Sequence, residues 1–136
     1  MAWHIVLSAD YEKAAKQFAK KWPAELRAVA NNLRTLVQAV EFGAKVEQLK
    51  SLGFVHSEPH GILAITERGC EKKTKPKATR LYVFVDDVEC EICVMLLAEK
   101  ASKSSQSKDI SLCKKYVQDR VAARTKSQQP QQPQQP

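Results

Sequence analysis

The sequence lacks the long apolar stretches that anchor proteins in membranes. No segment approaches the roughly 20 consecutive apolar residues of a membrane span. The first residues also lack the basic region and apolar core of a secretory signal peptide. We therefore expect a cytoplasmic protein with no membrane partner. A length of 136 residues favours a single domain, which we predict at residues 1–126.

Histidine and cysteine are scarce, and neither is arranged as a metal or catalytic site. The three histidines are isolated, and Pro59 interrupts the His56-x-x-x-His60 spacing that a helical metal pair would need. Cys90 and Cys93 form a Cys-x-x-Cys pair, but a second pair with zinc spacing is absent. Residues three apart on a strand point to opposite faces, so the two sulfurs would not converge on a metal. We therefore expect structural thiols, which stay reduced in a cytoplasmic protein. No metal and no small-molecule cofactor is predicted.

The last ten residues contain no large apolar side chain. Residues 127–136 are a serine followed by three Gln-Gln-Pro repeats. A segment of this composition buries no core, because it has nothing to remove from water. We therefore predict a disordered Gln/Pro tail after the folded domain.

The spacing of apolar residues predicts an α+β fold in the order β-α-α-β-β-β-α. A strand at 4–8 precedes a helical hairpin, with Asp10 as the first N-cap and Gly43 near the end of the second helix. Three strands then form an antiparallel meander, and Asp86-Asp87 marks its second turn. We expect the two helices to pack on one face of this sheet. The meander strands are predicted at 61–66, 79–85 and 89–97, and the last helix at 109–124, burying Ile110, Cys113, Val117 and Val121.

Positive charge is concentrated in two short segments. The formal net charge is +7, and residues 71–80 carry five Lys/Arg and one Glu. Residues 99–126 carry eight Lys/Arg and three acidic residues, whereas residues 81–98 carry four acidic residues and no base. Such clustering favours a polyanionic or acidic partner. Lysines that hold an RNA backbone add salt-dependent affinity without sequence preference, and the candidates in the first segment are Lys72, Lys73, Lys75 and Lys77.

The segment from Lys103 to Ile110 follows an apolar strand and precedes the basic helix predicted from Asp109. We expect it to form a polar, cationic loop. The amides of such a loop and the positive end of the helix dipole would face an anion together with the lysines. The segment thus predicts an anion-binding site, with Lys103, Gln106 and Lys108 as candidate RNA contacts.

The same segment resembles the small bacterial toxins of the RelE/ParE superfamily. Many of these toxins end in an LLL strand, a GDKSSQ-x-x-DI loop and a lysine-rich helix, which Leu96-Leu97 and Lys103 to Ile110 resemble. Arg80-Leu-Tyr-Val-Phe is similar to the YR-x-x-Y/F-F strand of the family. The resemblance covers roughly residues 3–121 and implies a strand, a helical hairpin, a three-stranded meander and often a final helix.

The resemblance implies a toxin of a type II toxin–antitoxin system that cleaves messenger RNA on the ribosome. In such a site the RNA supplies its own 2′-hydroxyl nucleophile, and fixed cations stabilise the charge that develops on the phosphorane. Arg80 matches the family arginine and Lys103 the motif lysine, while Lys100 falls near a second family cation. These three residues are the implied catalytic set, and Gln106 would orient a phosphate.

Two alternatives stay open. The strand before Arg80 lacks the lysines of RelE enzymes, which also fits a ParE-like toxin that inhibits DNA gyrase by protein binding. The long basic loop also fits a catalytically inactive member that only binds RNA. In both toxin readings a cognate antitoxin should cover the basic surface with an acidic or amphipathic segment.

Overall fold

The computed structural model describes residues 2–128, with side chains as far as residue 124. Within this range the chain forms five strands, four α-helices and one 3₁₀ turn at Pro59–Gly61. The elements are β1 (His4–Leu7), α1 (Ala9–Lys21), α2 (Pro23–Glu41), α3 (Val46–Leu49), β2 (Val55–Ser57), β3 (Leu63–Thr66), β4 (Thr79–Asp86), β5 (Glu91–Glu99) and α4 (Lys103–Gln128).

The five strands form one sheet in the order β1-β5-β4-β3-β2. Strands β2 to β5 are an antiparallel meander, and β1 pairs in parallel with β5. The predicted α+β class is confirmed, but the prediction of a three-stranded meander is wrong because β2 adds a fourth strand. This strand gives almost no sequence signal, since it has three residues and only Val55 is buried.

The helices α1 and α2 cover one face of the sheet, as predicted. Their inward residues pack on alternate positions of the strands, among them Leu81, Val83 and Val85 of β4. The α1 N-cap is Ser8 rather than the predicted Asp10, because the Ser8 Oγ accepts a hydrogen bond from the Tyr11 amide. The buried helix residues in this layer are Phe18, Val29, Leu36 and Val40.

The last helix, α4, covers the opposite face of the sheet, so the molecule has three layers. Ile110, Cys113 and Val117 of α4 pack in this second core, whereas Val121 is 37% exposed and not buried as predicted. Tyr82 of β4 lies in the same core and is only 1% exposed. The sheet face that carries Tyr82, and by strand alternation Arg80, is therefore the face beneath α4.

A partly buried ion-pair cluster joins the C-terminal half of α4 to the turn between β4 and β5. Asp86, at the end of β4, accepts hydrogen bonds from Arg120 at 2.8 Å and from Arg124 at 2.9 Å. Arg120 also contacts Glu91. The turn comprises residues 87–90 rather than the predicted Asp86-Asp87, and Cys90 adopts a φ of 54° there. The expectation that Cys90 lies in a strand is therefore wrong.

The helix α4 is longer at both ends than the sequence suggested. It begins at Lys103, six residues before the predicted start at Asp109, and continues to Gln128. The first two residues of the predicted tail thus belong to the helix, while residues 129–136 lie outside the described part of the chain. Among the described helices, none combines the length and apolar character needed to cross a membrane.

Candidate nucleic-acid interface

Arg80 lies at the start of β4, between the sheet and α4. It is 8% exposed, and its Nη1 is 3.3 Å from the Glu58 Oε1. The distance is long for a hydrogen bond between charged groups. In the described part of the chain this is the one hydrogen bond shown for a guanidinium with five N–H donors. Arg80 is thus fixed in position by Glu58 and keeps donors for a further ligand.

Glu58 reaches Arg80 because the chain reverses tightly between β2 and β3. The Glu58 amide donates to the Ile62 carbonyl at 2.8 Å, which closes the turn. His60 and Gly61 both adopt the left-handed region, with φ of 66° and 75°. Two consecutive residues of this kind reverse the chain in a short span, and a glycine at the second position reduces the strain. The turn sets the Glu58 carboxylate beside the first residues of β4.

The N-terminus of α4 faces this turn. The Ser102 Oγ accepts a hydrogen bond from the Ser105 amide at 3.1 Å, and the Ser102 carbonyl accepts from the Gln106 amide at 3.0 Å. Ser102 is therefore the N-cap. The prediction of a loop as far as Lys108 is wrong, because this cap lets a run without apolar periodicity start the helix.

An open cleft of about 430 Å³ separates the Glu58 turn from the first turns of α4. The structure places two of the predicted site residues, Lys103 and Gln106, on its α4 side and Glu58 on the other. Through its contact with Glu58, Arg80 lies next to the cleft that Lys103 and Gln106 line. The lining is completed by Pro59, Ser107 and Ile110.

Two more ionisable groups lie next to the cleft. Tyr82 is two residues after Arg80, and burial raises the pKa of its hydroxyl to about 12, with the charge of Asp109 adding to the effect. Burial also raises the pKa of Asp109 above the ordinary value of an aspartate. Asp109 was expected at the N-terminus of the last helix, but it is the seventh residue of α4.

Lys100 is at the same end of the sheet as Arg80. It follows directly after β5, where Glu99 is paired with Thr79, and its amide donates to the Ala78 carbonyl at 2.8 Å. Within the described residues, neither Lys100 nor Lys103 has a carboxylate within ion-pair distance. Both predicted cations are thus available at this end.

The basic loop between β3 and β4 is held by one buried glutamate. Glu25 of α2 is fully buried, and its Oε2 accepts hydrogen bonds from the Lys72 Nζ at 2.6 Å and the Lys77 amide at 2.7 Å. The Lys77 Nζ pairs with Glu99 at 3.0 Å and lies over the Trp22 ring. Lys72 and Lys77 were predicted to bind RNA, but both charges are already paired within the protein.

Lys73 and Lys75 occupy the exposed part of the same loop. No carboxylate of the described residues lies within ion-pair distance of either side chain. They are the two lysines of the predicted loop set that remain available to a polyanion. Both lie in the chain between β3 and the start of β4, so the loop is at the same end of the sheet as Arg80.

Lys108 does not belong to the cleft. It lies with Leu112 and Lys115 on the outer surface of α4, away from the lining of the Arg80 cleft. The prediction that Lys108 joins the same contact set as Lys103 and Gln106 is not supported, because the segment is helical and turns Lys108 to another face.

No cluster of three or more histidine, cysteine or acidic side chains suited to a metal ion occurs among the described residues. Cys93 and Cys113 are buried in the core under α4, and burial raises the pKa of both thiols, for Cys113 to about 12. These two thiols are therefore protonated and act as apolar core residues.

Sequence reasoning missed Glu58 and Glu25. For Glu58 the signal was weak, since only the following Pro-His-Gly indicates a turn that carries it to Arg80. For Glu25 a signal existed. Its spacing to Ala28, Val29 and Leu36 puts it on the apolar stripe of α2, where a charged residue requires a partner.

In comparisons with known proteins, no protein-family model, no curated protein and no solved structure matches this chain.

Proposed function

We propose that this chain is a toxin of the RelE/ParE type that cleaves messenger RNA on the ribosome. The observation that carries the proposal is a cleft lined by Lys103, Gln106 and Glu58, with Arg80 held beside it by Glu58. Arg80 belongs to β4, whereas Lys103 and Gln106 belong to the first turn of α4. Cationic and amide side chains gathered around one cleft are what a phosphate site requires.

The cleft has the chemical groups that RNA cleavage by internal attack needs. The RNA 2′-hydroxyl attacks the adjacent phosphorus, the bond to the 5′-oxygen breaks, and a 2′,3′-cyclic phosphate forms. Arg80 and Lys103 neutralise the phosphorane, which contributes most when donors are already fixed in place. Glu58 is suited to accept the proton of the 2′-hydroxyl and, through a water molecule, to return a proton to the departing 5′-oxygen.

Glu58 and a phosphate would both bind the guanidinium of Arg80. A phosphate that enters the cleft competes with Glu58 for the guanidinium, and its planar fork suits two phosphate oxygens at once. Arg80 and Glu58 share a single contact of 3.3 Å. A phosphate therefore replaces Glu58 more easily than it would if the two side chains formed a short pair with two hydrogen bonds. Binding of RNA therefore frees Glu58 to act as a base at the moment substrate arrives.

The surroundings of the cleft fit a messenger RNA held in the ribosome, and hence action in the cytoplasm. Lys73, Lys75 and Lys100 extend the cationic surface beyond Arg80. Contacts of this kind bind the phosphate backbone and leave base selection to other groups. A cognate antitoxin would cover the same surface with an acidic segment, which neutralises the lysines and closes the cleft.

A member that binds RNA without cleaving it is the second candidate. It is favoured by the burial of Arg80 at 8% exposure and by its neutralisation by Glu58. It is also favoured by β3, whose residues Leu63–Thr66 bring no cation to the site.

The test is cell-free translation with purified protein and mapping of messenger RNA ends by primer extension. Three proteins are compared: the unaltered chain, Arg80→Ala, and Arg34→Ala, which removes an exposed arginine of α2. New ends that need ribosomes, persist in Arg34→Ala and vanish in Arg80→Ala are expected. Intact RNA with salt-dependent RNA binding would favour the second candidate. Intact RNA with inhibited supercoiling by purified DNA gyrase would point to the ParE-like activity instead.

A further inference from the structure

We propose that Glu25 is a positioning residue that holds the basic loop as a fixed arch, from which Lys73 and Lys75 contact the RNA backbone. The inference rests on the proposed RNA-binding function and adds a residue that does not line the cleft. Glu25 touches no RNA in this account and acts only through the loop.

The loop needs an external support, because it has little regular structure of its own. Residues 67–78 form neither helix nor strand between β3 and β4. Fixing the backbone of such a segment costs about 1–2 kcal/mol per residue in conformational entropy. Contacts from outside the loop must offset that cost.

Glu25 supplies contacts at two points five residues apart. One carboxylate oxygen accepts from the Lys72 side chain at 2.6 Å and from the Lys77 backbone amide at 2.7 Å. The chain between these two residues is thereby drawn into a closed arch. The Lys77 side chain adds a second attachment through Glu99 and the Trp22 ring.

The carboxylate is committed to this role by its surroundings. Glu25 is fully buried, and its Oε1 has no hydrogen-bond partner among the described residues. Burial alone would raise its pKa, but the hydrogen bonds from Lys72 and the Lys77 amide outweigh burial and lower it. The group stays ionised in the apolar layer because the loop donates to it.

The arch sorts the four loop lysines into two roles. The Lys72 and Lys77 charges are used inside the protein, and the two residues between them that remain exposed and cationic are Lys73 and Lys75. An RNA strand that meets a preformed arch does not have to order the loop itself. Preorganisation of this kind raises affinity without any new contact.

The experiment compares two substitutions that change the charge equally but differ in their contact with the arch. Glu25→Gln and Glu71→Gln each remove one negative charge, and Glu71 is an exposed residue of the same loop. Binding of a short single-stranded RNA is measured for both over a range of salt concentrations. Limited digestion with trypsin after Lys73 reports the mobility of the loop, and thermal melting reports folding.

Glu25→Gln is expected to weaken RNA binding about five- to tenfold, because the RNA must then order the loop. The slope of log affinity against log salt should fall by about two, the contribution of two lysines. Cleavage after Lys73 should accelerate. Glu71→Gln should bind RNA slightly more tightly, as added positive charge predicts, with unchanged digestion. Equal tightening in both variants, or unchanged digestion in Glu25→Gln, would overturn the proposal.

Two further outcomes keep the test separate from that of the proposed function. If the unaltered protein binds no RNA, the proposed function and the RNA role of the arch both fail, whatever the digestion shows. If Glu25→Gln does not fold, the pair is tested from the loop side. Lys72→Gln should then mobilise the loop and weaken binding, and Lys72→Arg should restore both. Failure of Lys72→Gln to change digestion would overturn the arch.

Discussion

Each end of β4 carries a buried charged side chain, and the two side chains differ in how many hydrogen bonds they form. Asp86, at the C-terminal end, is 2% exposed and accepts hydrogen bonds from Arg120, Arg124 and two amides of the following turn. Arg80, at the other end, has one contact of 3.3 Å to Glu58. A fully satisfied buried charge fixes the structure. A charge held by a single long contact retains capacity for a ligand.

The surroundings follow the same division. Near Asp86 the arginines of α4 are paired with carboxylates, so this end joins α4 to the sheet. Near Arg80 the described cations Lys73, Lys75, Lys100 and Lys103 have no carboxylate within ion-pair distance. Sequence charge alone does not separate the two ends, because both contain clustered bases.

The largest expected effect comes from removing the Asp86 carboxylate. Asp86→Ala should lower the free energy of unfolding by about 3–5 kcal/mol, because it leaves two partly buried arginines without their shared, buried partner. Denaturant unfolding measures the change. Asp87→Ala removes an exposed acid from the neighbouring position and should alter stability by less than about 0.5 kcal/mol. A similar loss in both variants would contradict a structural role specific to Asp86.

The next largest effect comes from removing the Arg80 guanidinium. Arg80→Ala should lower the rate of RNA cleavage by about 10²–10³-fold, the usual loss when one fixed donor to a developing charge is removed. Single-turnover cleavage kinetics measure it. Arg80→Lys keeps the charge but not the planar fork. Its cleavage rate should therefore lie between that of the unaltered protein and that of Arg80→Ala. If Arg80→Ala lost stability as Asp86→Ala does and cleaved normally, the two ends would not differ in role.

The pH dependence of stability extends the comparison, because the pKa values of Asp86 and Asp109 shift in opposite directions. Burial would raise the pKa of Asp86, but the hydrogen bonds from Arg120 and the Glu89 amide and the charge of Arg124 outweigh burial and lower it. Its stabilisation is present above the unfolded pKa of about 4 and is lost as pH falls through the lower folded value. Asp109 has a raised pKa, so its ionised form opposes folding above that value.

Unfolding measured from pH 7 to pH 2.5 should therefore show a loss of stability at acid pH that is smaller in Asp86→Asn, by about 1–3 kcal/mol. Asp109→Asn should raise stability at neutral pH and leave it unchanged at acid pH. The same pH profile in the unaltered chain and in Asp86→Asn would show that the arginine cluster does not hold an ionised carboxylate.

The smallest expected effect concerns single loop lysines. Lys73→Ala should reduce the salt slope of RNA binding by about one, since one phosphate contact is lost. Lys115→Ala removes a lysine from the outer surface of α4 and should leave the slope unchanged. Fluorescence anisotropy with labelled RNA over a salt series gives both slopes. Equal reductions would mean that RNA binds the basic surface without preference for the Arg80 end.

The sequence predicted those features of the fold that depend on periodic apolar residues. The helical hairpin, β4 and β5 have clear helix or strand periods, and all are present. It missed β2, because three residues with one buried side chain carry no period. It also put the start of α4 at Asp109 rather than Lys103, because the Ser102 cap lies in a polar run that has the composition of a loop.

For the site, residue type predicted the candidates but not their partners. Lys103 and Gln106 line one cleft, and Arg80 lies beside it through its contact with Glu58. The pairing of Lys72 and Lys77 was not predictable from charge, because it depends on Glu25, about 50 residues away in the chain. Lys108 lies outside the cleft lining because α4 already includes it and directs its side chain to another face, so its RNA contact stays a prediction.

Titration of the ¹⁵N-labelled protein with a short single-stranded RNA, followed by NMR of the backbone amides, tests the central claim most directly. The difference between the two ends of β4 predicts chemical-shift changes at Thr79, Lys100 and the first two turns of α4. It predicts no changes at residues 86–91. Shifts centred on residues 86–91 and the Arg120 region, or an absence of shifts at every RNA concentration, would contradict the assignment of RNA binding to the Arg80 end.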